Sequence, residues 1–160
     1  MTSLLKVSLT ALVSLLFFSC GYNCIRGEGD VTTKEHPLEN FTQVSVIEGW
    51  DAILIKGNEN KLQVTANKNL HELLEFNIQE GALTIGLKQN CIMDADAKTL
   101  KIHYTEDLQK ISASSGAEIS ANAILKQDKI SIDASSGGEI ELQLDAGVAT
   151  AEASSGATIE

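Results

Sequence analysis

The residues best suited to chemistry in this chain are carboxylates that recur at a fixed spacing. Glu118 and Glu139 each stand two positions after a glycine, Gly116 and Gly137, while Asp133 and Glu152 each precede the alanine of the same phrase, Ala134 and Ala153. If each phrase lies on one strand of a stack, the members of each pair sit side by side. Stacked like charges are destabilising unless they splay into water or share a cation. Calcium takes roughly six to eight oxygens, more than two carboxylates and nearby serine hydroxyls supply. Glu118 and Glu139 are therefore at most a weak calcium site, and no metal or cofactor is expected. Paired carboxyls also suggest acid and base catalysis on a polysaccharide. Glycoside hydrolysis, however, needs a defined separation across a cleft, and elimination needs a base near the abstracted proton. Lys110, Lys126 and Lys129 fall in expected loops without a matching pair, so a polysaccharide-active enzyme or its remnant is the alternative reading and no catalytic residue is assigned.

Two further features invite a chemical reading. The pairs Ser115-Gly116, Ser136-Gly137 and Ser155-Gly156 resemble part of a hydrolase elbow, but that motif needs a glycine two residues before the serine and a helix after it. Here a strand pattern follows, and a nucleophile does not come in triplicate. The serines are better suited to an inward hydroxyl ladder, each donating to the next, and the glycines to a corner with positive φ. Trp50 is the one tryptophan and stands where later phrases have Ala117, Gly138 and Ala157. Its ring either caps a core or, with Asp51 beside it, offers a platform to a sugar or partner. The candidate ligand-binding residues are thus Trp50, Asp51, Glu118 and Glu139.

These residues are positioned by a repeat. Ala113-Ser114-Ser115-Gly116, Ala134-Ser135-Ser136-Gly137 and Ala153-Ser154-Ser155-Gly156 place their glycines 21 and then 19 residues apart. Ile111, Ile132 and Ala151 precede the phrase, and Ile119, Ile140 and Ile159 follow it. Gly49 is a fainter fourth instance, with Val44, Val46, Asp51 and Ala52 at the matching offsets. Apolar and polar residues alternate within each copy, the pattern of half-buried strands. A unit of about 20 residues cannot bury its own face, so neighbours must stack. The expected fold is all-β, a parallel β-helix or a close relative, in which equivalent residues lie about 4.8 Å apart in columns.

The rest of the chain sets the context. Lys6, the apolar run from Val7 to Phe18 and Ser19-Cys20 have the proportions of an export signal and are short for a membrane span. A cysteine after a small residue there resembles a bacterial lipoprotein signal, with Cys20 lipidated after removal of residues 1–19, although Phe17 replaces the usual leucine. An ordinary signal peptide or a plain anchor are the other readings. The net charge of −10, with no basic stripe, excludes nucleic acid as a partner. Cys24 and Cys91 remain, and in an oxidising compartment they either pair or stand as two inert thiols. Residues 20–37 read as the lipidated cysteine and a flexible tether, and 38–160 as the folded domain. Strands are expected over Phe41–Ile47, Ala52–Lys56, Lys61–Ala66, Phe76–Gln79, Ala82–Leu87 and Leu100–Tyr104, with one helical turn at Leu70–Glu75.

The ordered blocks Phe41-Thr42-Gln43-Val44-Ser45-Val46, Gly49-Trp50-Asp51-Ala52-Ile53-Leu54-Ile55, Leu62-Gln63-Val64, Gly81-Ala82-Leu83-Thr84-Ile85 and the Ser-Ser-Gly turns resemble the family described as "putative auto-transporter adhesin, head GIN domain". The resemblance covers about 120 residues and implies a right-handed parallel β-helix, with turns of about 20 residues in this chain, in an envelope protein of Gram-negative bacteria. It implies adhesion and brings no catalytic or ligand residue. Such domains usually continue past the equivalent of Glu160, so truncation, or self-association through an open C-terminal end, is expected. The combined expectation is a non-catalytic outer-membrane lipoprotein that binds a glycan or surface protein, facing either the periplasm or the exterior. A purely structural envelope role is the further alternative.

Overall fold

The computed structural model describes residues 24–88 and 91–160. Among them fifteen strands and one short helix follow in order. They are β1 (Cys24–Arg26), β2 (Val31–Pro37), β3 (Gln43–Ile47), β4 (Asp51–Lys56), β5 (Lys61–Asn67), α1 (Lys68–Leu73), β6 (Leu74–Gln79) and β7 (Ala82–Leu87). There follow β8 (Cys91–Asp94), β9 (Lys98–Tyr104), β10 (Lys110–Ser114), β11 (Glu118–Ala121), β12 (Leu125–Ser135), β13 (Glu139–Glu141), β14 (Leu144–Ala153) and β15 (Thr158–Ile159). The alternation read from the sequence is the alternation of burial. Every second residue of β3, β5 and β10 is buried, as are Ala52 and Leu54 of β4, as a sheet with one wet face requires.

The strands form a six-stranded sheet, β14-β12-β10-β3-β7-β6, a seven-stranded sheet, β15-β13-β11-β4-β9-β5-β2, and the pair β1-β8. The core combines inward residues of both large sheets. Val44, Val46, Leu83, Ile85, Ile111 and Ile132 come from the first, and Leu54, Leu62, Val64, Leu100, Ile102, Ile119 and Ile140 from the second. Burial of such side chains, about 1.5–3 kcal/mol each, is the main force holding the sheets together. Phe41, Trp50, Leu70 and Leu108 are fully or almost fully buried in the same cluster.

This architecture overturns the expected right-handed parallel β-helix with turns of about 20 residues. Both large sheets are mixed and neither is closed. β5 runs antiparallel to both β9 and β2, and β6 antiparallel to β7, pairings that a coil contributing one parallel strand per turn does not make. The physical reason lies in the connections. The turn at Glu80-Gly81, with positive φ at both residues, +51° and +77°, returns the chain onto the strand it has just left, so β6 and β7 pair as a hairpin, whereas the later turns hand the chain to the other sheet. The parallel stacking expected of the repeats is present but local. It joins β3, β10, β12 and β14 in one sheet and β4, β11, β13 and β15 in the other.

The stretch read as a tether is also corrected from Cys24 onward. β2 pairs residue for residue with β5 from Val31↔Asn67 to Pro37↔Lys61. β1 pairs with β8, and Cys24 and Cys91 lie opposite each other, joined by a disulfide with their Cα atoms 4.6 Å apart. Asn67, fully buried, fixes this end of the fold. Its Nδ2 donates to the Gly29 carbonyl (2.9 Å) and to Asp96 Oδ2 (3.0 Å), and its Oδ1 accepts from the Asp96 and Ala97 amides at 3.0 and 3.3 Å. A buried amide must be satisfied in this way, because leaving it unpaired costs roughly 1–3 kcal/mol. The segment before β3 is thereby built into the domain.

Candidate functional site

The repeated phrase carries the chain from one sheet to the other. The Ala117 amide donates to the Ser114 carbonyl (3.2 Å), Gly138 to Ser135 (2.9 Å) and Ala157 to Ser154 (3.1 Å), closing three four-residue turns. The two central residues of each have positive φ: Ser115 (+54°) and Gly116 (+74°), Ser136 (+51°) and Gly137 (+75°), Ser155 (+53°) and Gly156 (+78°). Glu48 (+68°) and Gly49 (+83°) make the fourth. Positive φ at both positions is the type I′ pattern. Ser115, Ser136 and Ser155 are exposed, so the expected inward hydroxyl ladder is absent at these residues. A residue at the tip of such a turn points away from the core, and glycine takes the second left-handed position at least steric cost.

Immediately after the turns the candidate carboxylates line up as expected. Asp51 lies opposite Glu118, and Glu118 opposite Glu139, across β4, β11 and β13. Glu118 and Glu139 are exposed, and Asp51 is ion-paired with Lys98 from β9. The second acidic column runs Ser45, Ser112, Asp133, Glu152 across β3, β10, β12 and β14, and Asp133 is ion-paired with Lys110. The lysines that neutralise one member of each column are not visible in the spacing, because each lies on a different strand. Among the described residues no three His, Cys, Asp or Glu converge as a metal ligand set.

Trp50 lies inside. The ring is 0% exposed and presents no face to solvent, while its backbone carbonyl accepts from the Glu118 amide at 2.9 Å. Its Nε1 has no hydrogen-bond partner among the described residues, so its role there is volume. Tyr104 on β9 is also buried. Burial pushes its phenol above the ordinary value, and the Asp107 carboxylate adds to the effect. Trp50 is therefore not brought to the surface beside Asp51, and Glu118 and Glu139 lie side by side without it. Cys20 and residues 1–19 lie outside the described residues.

The β1-β8 pair, missed in the sequence, sits against the first turn. The Ile92 amide donates to the Glu48 carbonyl at 3.4 Å, and a Cβ placed on Gly49 would lie 3.3 Å from the Ile92 carbonyl oxygen. The column of turns thus continues from Gly156 through Gly137, Gly116 and Gly49 to a disulfide-closed ribbon. The two cysteines are the only sequence signal for it.

The chain resembles a putative adhesin from Parabacteroides distasonis (20% identity, TM-score 0.75, 86% of this chain and 58% of that one). It also resembles a putative adhesin from Parabacteroides merdae (23% identity, TM-score 0.72, 86% and 58%). A third, a putative adhesin from Bacteroides fragilis, aligns at 14% identity with a TM-score of 0.75, covering 84% of this chain and 63% of that one. At such identities the likeness concerns the fold, and the chain spans less than two thirds of each of these structures. No curated protein matches it. The family model described as "Putative auto-transporter adhesin, head GIN domain" matches residues 40–160, from just before β3 through β15, and the chain belongs to that family.

Proposed function

We propose that this chain is a binding module of the cell envelope, an adhesin without catalysis of its own that meets a glycan or a surface protein across the outer faces of its stacked strands. The observation that supports this reading is in-register repetition on exposed faces. Asp51, Glu118 and Glu139 occupy one line, and Ser45, Ser112, Asp133 and Glu152 another. Backbone hydrogen bonds hold neighbours in such a line at about 4.8 Å, so the polar groups are ordered before a ligand arrives and little further ordering opposes binding. Family membership supports an envelope or surface location. Lipidation of Cys20, after removal of residues 1–19, would anchor the module to the outer membrane of a Gram-negative bacterium.

The anchoring is tested by cell fractionation, where Cys20→Ser should move the protein from the membrane to the soluble fraction. The adhesin reading is tested by saturable binding of the full-length protein, in detergent, to arrays of glycans and of surface proteins, with and without calcium. Calcium-dependent binding lost in Glu118→Gln and Glu139→Gln would place the contact on the first acidic line. Absence of binding to every probe would favour a structural role. Release of soluble sugar from a polysaccharide, abolished by the same two substitutions, would make the protein an enzyme and overturn the proposal.

A further inference from the structure

We infer that a polar groove at the head of the six-stranded sheet is a subsite for a neutral saccharide, an inference that rests on the adhesin reading above. The groove, of about 630 Å³, forms where β12 outruns its neighbour. β10 begins at Lys110, opposite Ser131, whereas β12 begins at Leu125 and continues beside β14 alone over 125–129. The overhanging stretch makes one wall, and the loop before β10 makes the other. Gln127 ties the two together, its Nε2 donating to the Leu108 carbonyl and, at 2.9 Å, to that of Lys129. Leu108 is itself fully buried, so the floor of the groove is fixed to the core.

The walls present Gln43, Gln109, Lys110, Asp128, Lys129 and Ser131. Lys110 is engaged by Asp133, and Asp107 at the rim is held by Lys56 at 2.6 Å. Among the described residues Asp128 and Lys129 make no ion pair. Two amides, a carboxylate, an ammonium and a hydroxyl therefore face the groove. Each amide offers both a donor and an acceptor, and a carboxylate accepts from two hydroxyls, the complement of vicinal hydroxyls on a sugar ring. The methylene stems of Lys129, Lys110 and Gln109 supply apolar surface for the C–H face of a pyranose. The volume falls within the range of small-ligand clefts, roughly 300–1,000 Å³.

Other ligand classes fit less well. A wholly apolar ligand would cover the Gln43, Gln109, Asp128 and Ser131 polar groups of the lining without pairing them, and each group left unpaired opposes binding. A polyanion meets as many acids as lysines there, in a chain of net charge −10. A cation finds the Asp107 carboxylate already occupied by Lys56 and only Asp128 unpaired in the lining, too few oxygens for a hard cation that takes roughly six to eight. The chemistry that remains is a hydroxyl-rich ligand without net charge.

The test uses the full-length protein in detergent on an array of neutral and acidic oligosaccharides, alongside a panel of surface proteins. Retention on neutral oligosaccharides is expected. Gln109→Ala and Asp128→Asn should each weaken it roughly 5- to 10-fold, the loss of about one hydrogen bond, and Ser131→Ala should weaken it in the same direction. Lys101→Gln, on the outer face of the other sheet, should leave it unchanged. Gln109 and Asp128 are exposed, so thermal melting of these variants should match the parent and separate lost binding from lost folding. Saccharide binding unaffected by all three groove substitutions overturns the groove and leaves the adhesin reading standing. Retention confined to protein probes does the same. No retention on any probe overturns both.

Discussion

The two halves of the molecule complete the same pair of sheets by different means. From β10 onward each turn of the chain lays one strand on each sheet, in register with the turn before, and alanines and isoleucines stack in columns: Ile111 on Ile132, Ala113 on Ala134, Ile119 on Ile140. Before β10 the chain doubles back, with β6 on β7 and β5 between β2 and β9, and the core there is filled by large side chains such as Trp50, Phe41, Leu62 and Leu100. Repetition lets small residues make a core because each copy supplies the mould for the next. Where repetition fails, volume and cross-links must replace it. Trp50, the buried Asn67 and the Cys24–Cys91 disulfide all lie on the irregular side.

Substitutions can break that contrast. Removal of the ring at the junction is expected to have the largest effect, and Trp50→Ala should lower stability by about 3–5 kcal/mol in denaturant unfolding. Trp50→Phe should cost clearly less, because the lost Nε1 donor has no partner among the described residues. Replacing both Cys24 and Cys91 by serine should cost about 2–4 kcal/mol, read as a fall in the unfolding midpoint that reductant reproduces in the parent and not in the variant. A drop confined to the parallel half would refute the division. The turns give a finer comparison. Gly137→Ala forces alanine to φ +75° with nothing within 4 Å of its Cβ and should cost about 1–2 kcal/mol. Gly49→Ala adds the close Ile92 carbonyl and should cost more. Equal losses at the two positions would show that the ribbon is not seated on the first turn.

The smallest expected effect is in pH. His36, on β2, has its ring centroid 5.1 Å from that of Phe76. Desolvation first, then the nearby His71 and Lys34, lowers its pKa below the ordinary 6.5. The unfolded chain therefore binds this proton more readily than the folded one. Stability from this group is full above about pH 6.5 and declines as the pH falls toward the lowered folded value. His36→Gln should flatten that part of the stability profile, and an unchanged slope would place the titration elsewhere.

Much of the parallel half is legible in the sequence, and little of the other. The offsets around Gly116, Gly137 and Gly156 give the register, because side chains that stack on their own kind leave a periodic trace. Even the faint copy at Gly49 pairs where its offsets say, Val44 with Ile111 and Ala52 with Ile119. The strands themselves are legible from alternation, and the helical turn is displaced by two residues, to Lys68–Leu73. β2 is not legible. Val-Thr-Thr-Lys-Glu-His-Pro is exposed over most of its length and is held by backbone pairing with β5, which leaves no apolar pattern. The mixed order of the sheets is hidden for a related reason, since it depends on which distant strand fills an edge. The candidate site divides likewise. The acidic lines follow from the repeat, whereas the inward serine ladder fails because identical spacing suits an exposed turn tip equally well. The groove depends on a strand overhang that no local pattern encodes.

The disulfide also decides how the molecule would bear tension. A pull applied between the two ends of the chain reaches Cys24 and crosses the covalent bond directly to Cys91, so β2 through β7 lie in a closed loop that carries no load. Until that bond is reduced, the polypeptide beyond residue 91 is the only part of the described residues that can lengthen. In a pulling trace the stacked repeats would yield strand by strand while the length from Cys24 to Cys91 stayed closed, and addition of reductant would release that length as a separate step.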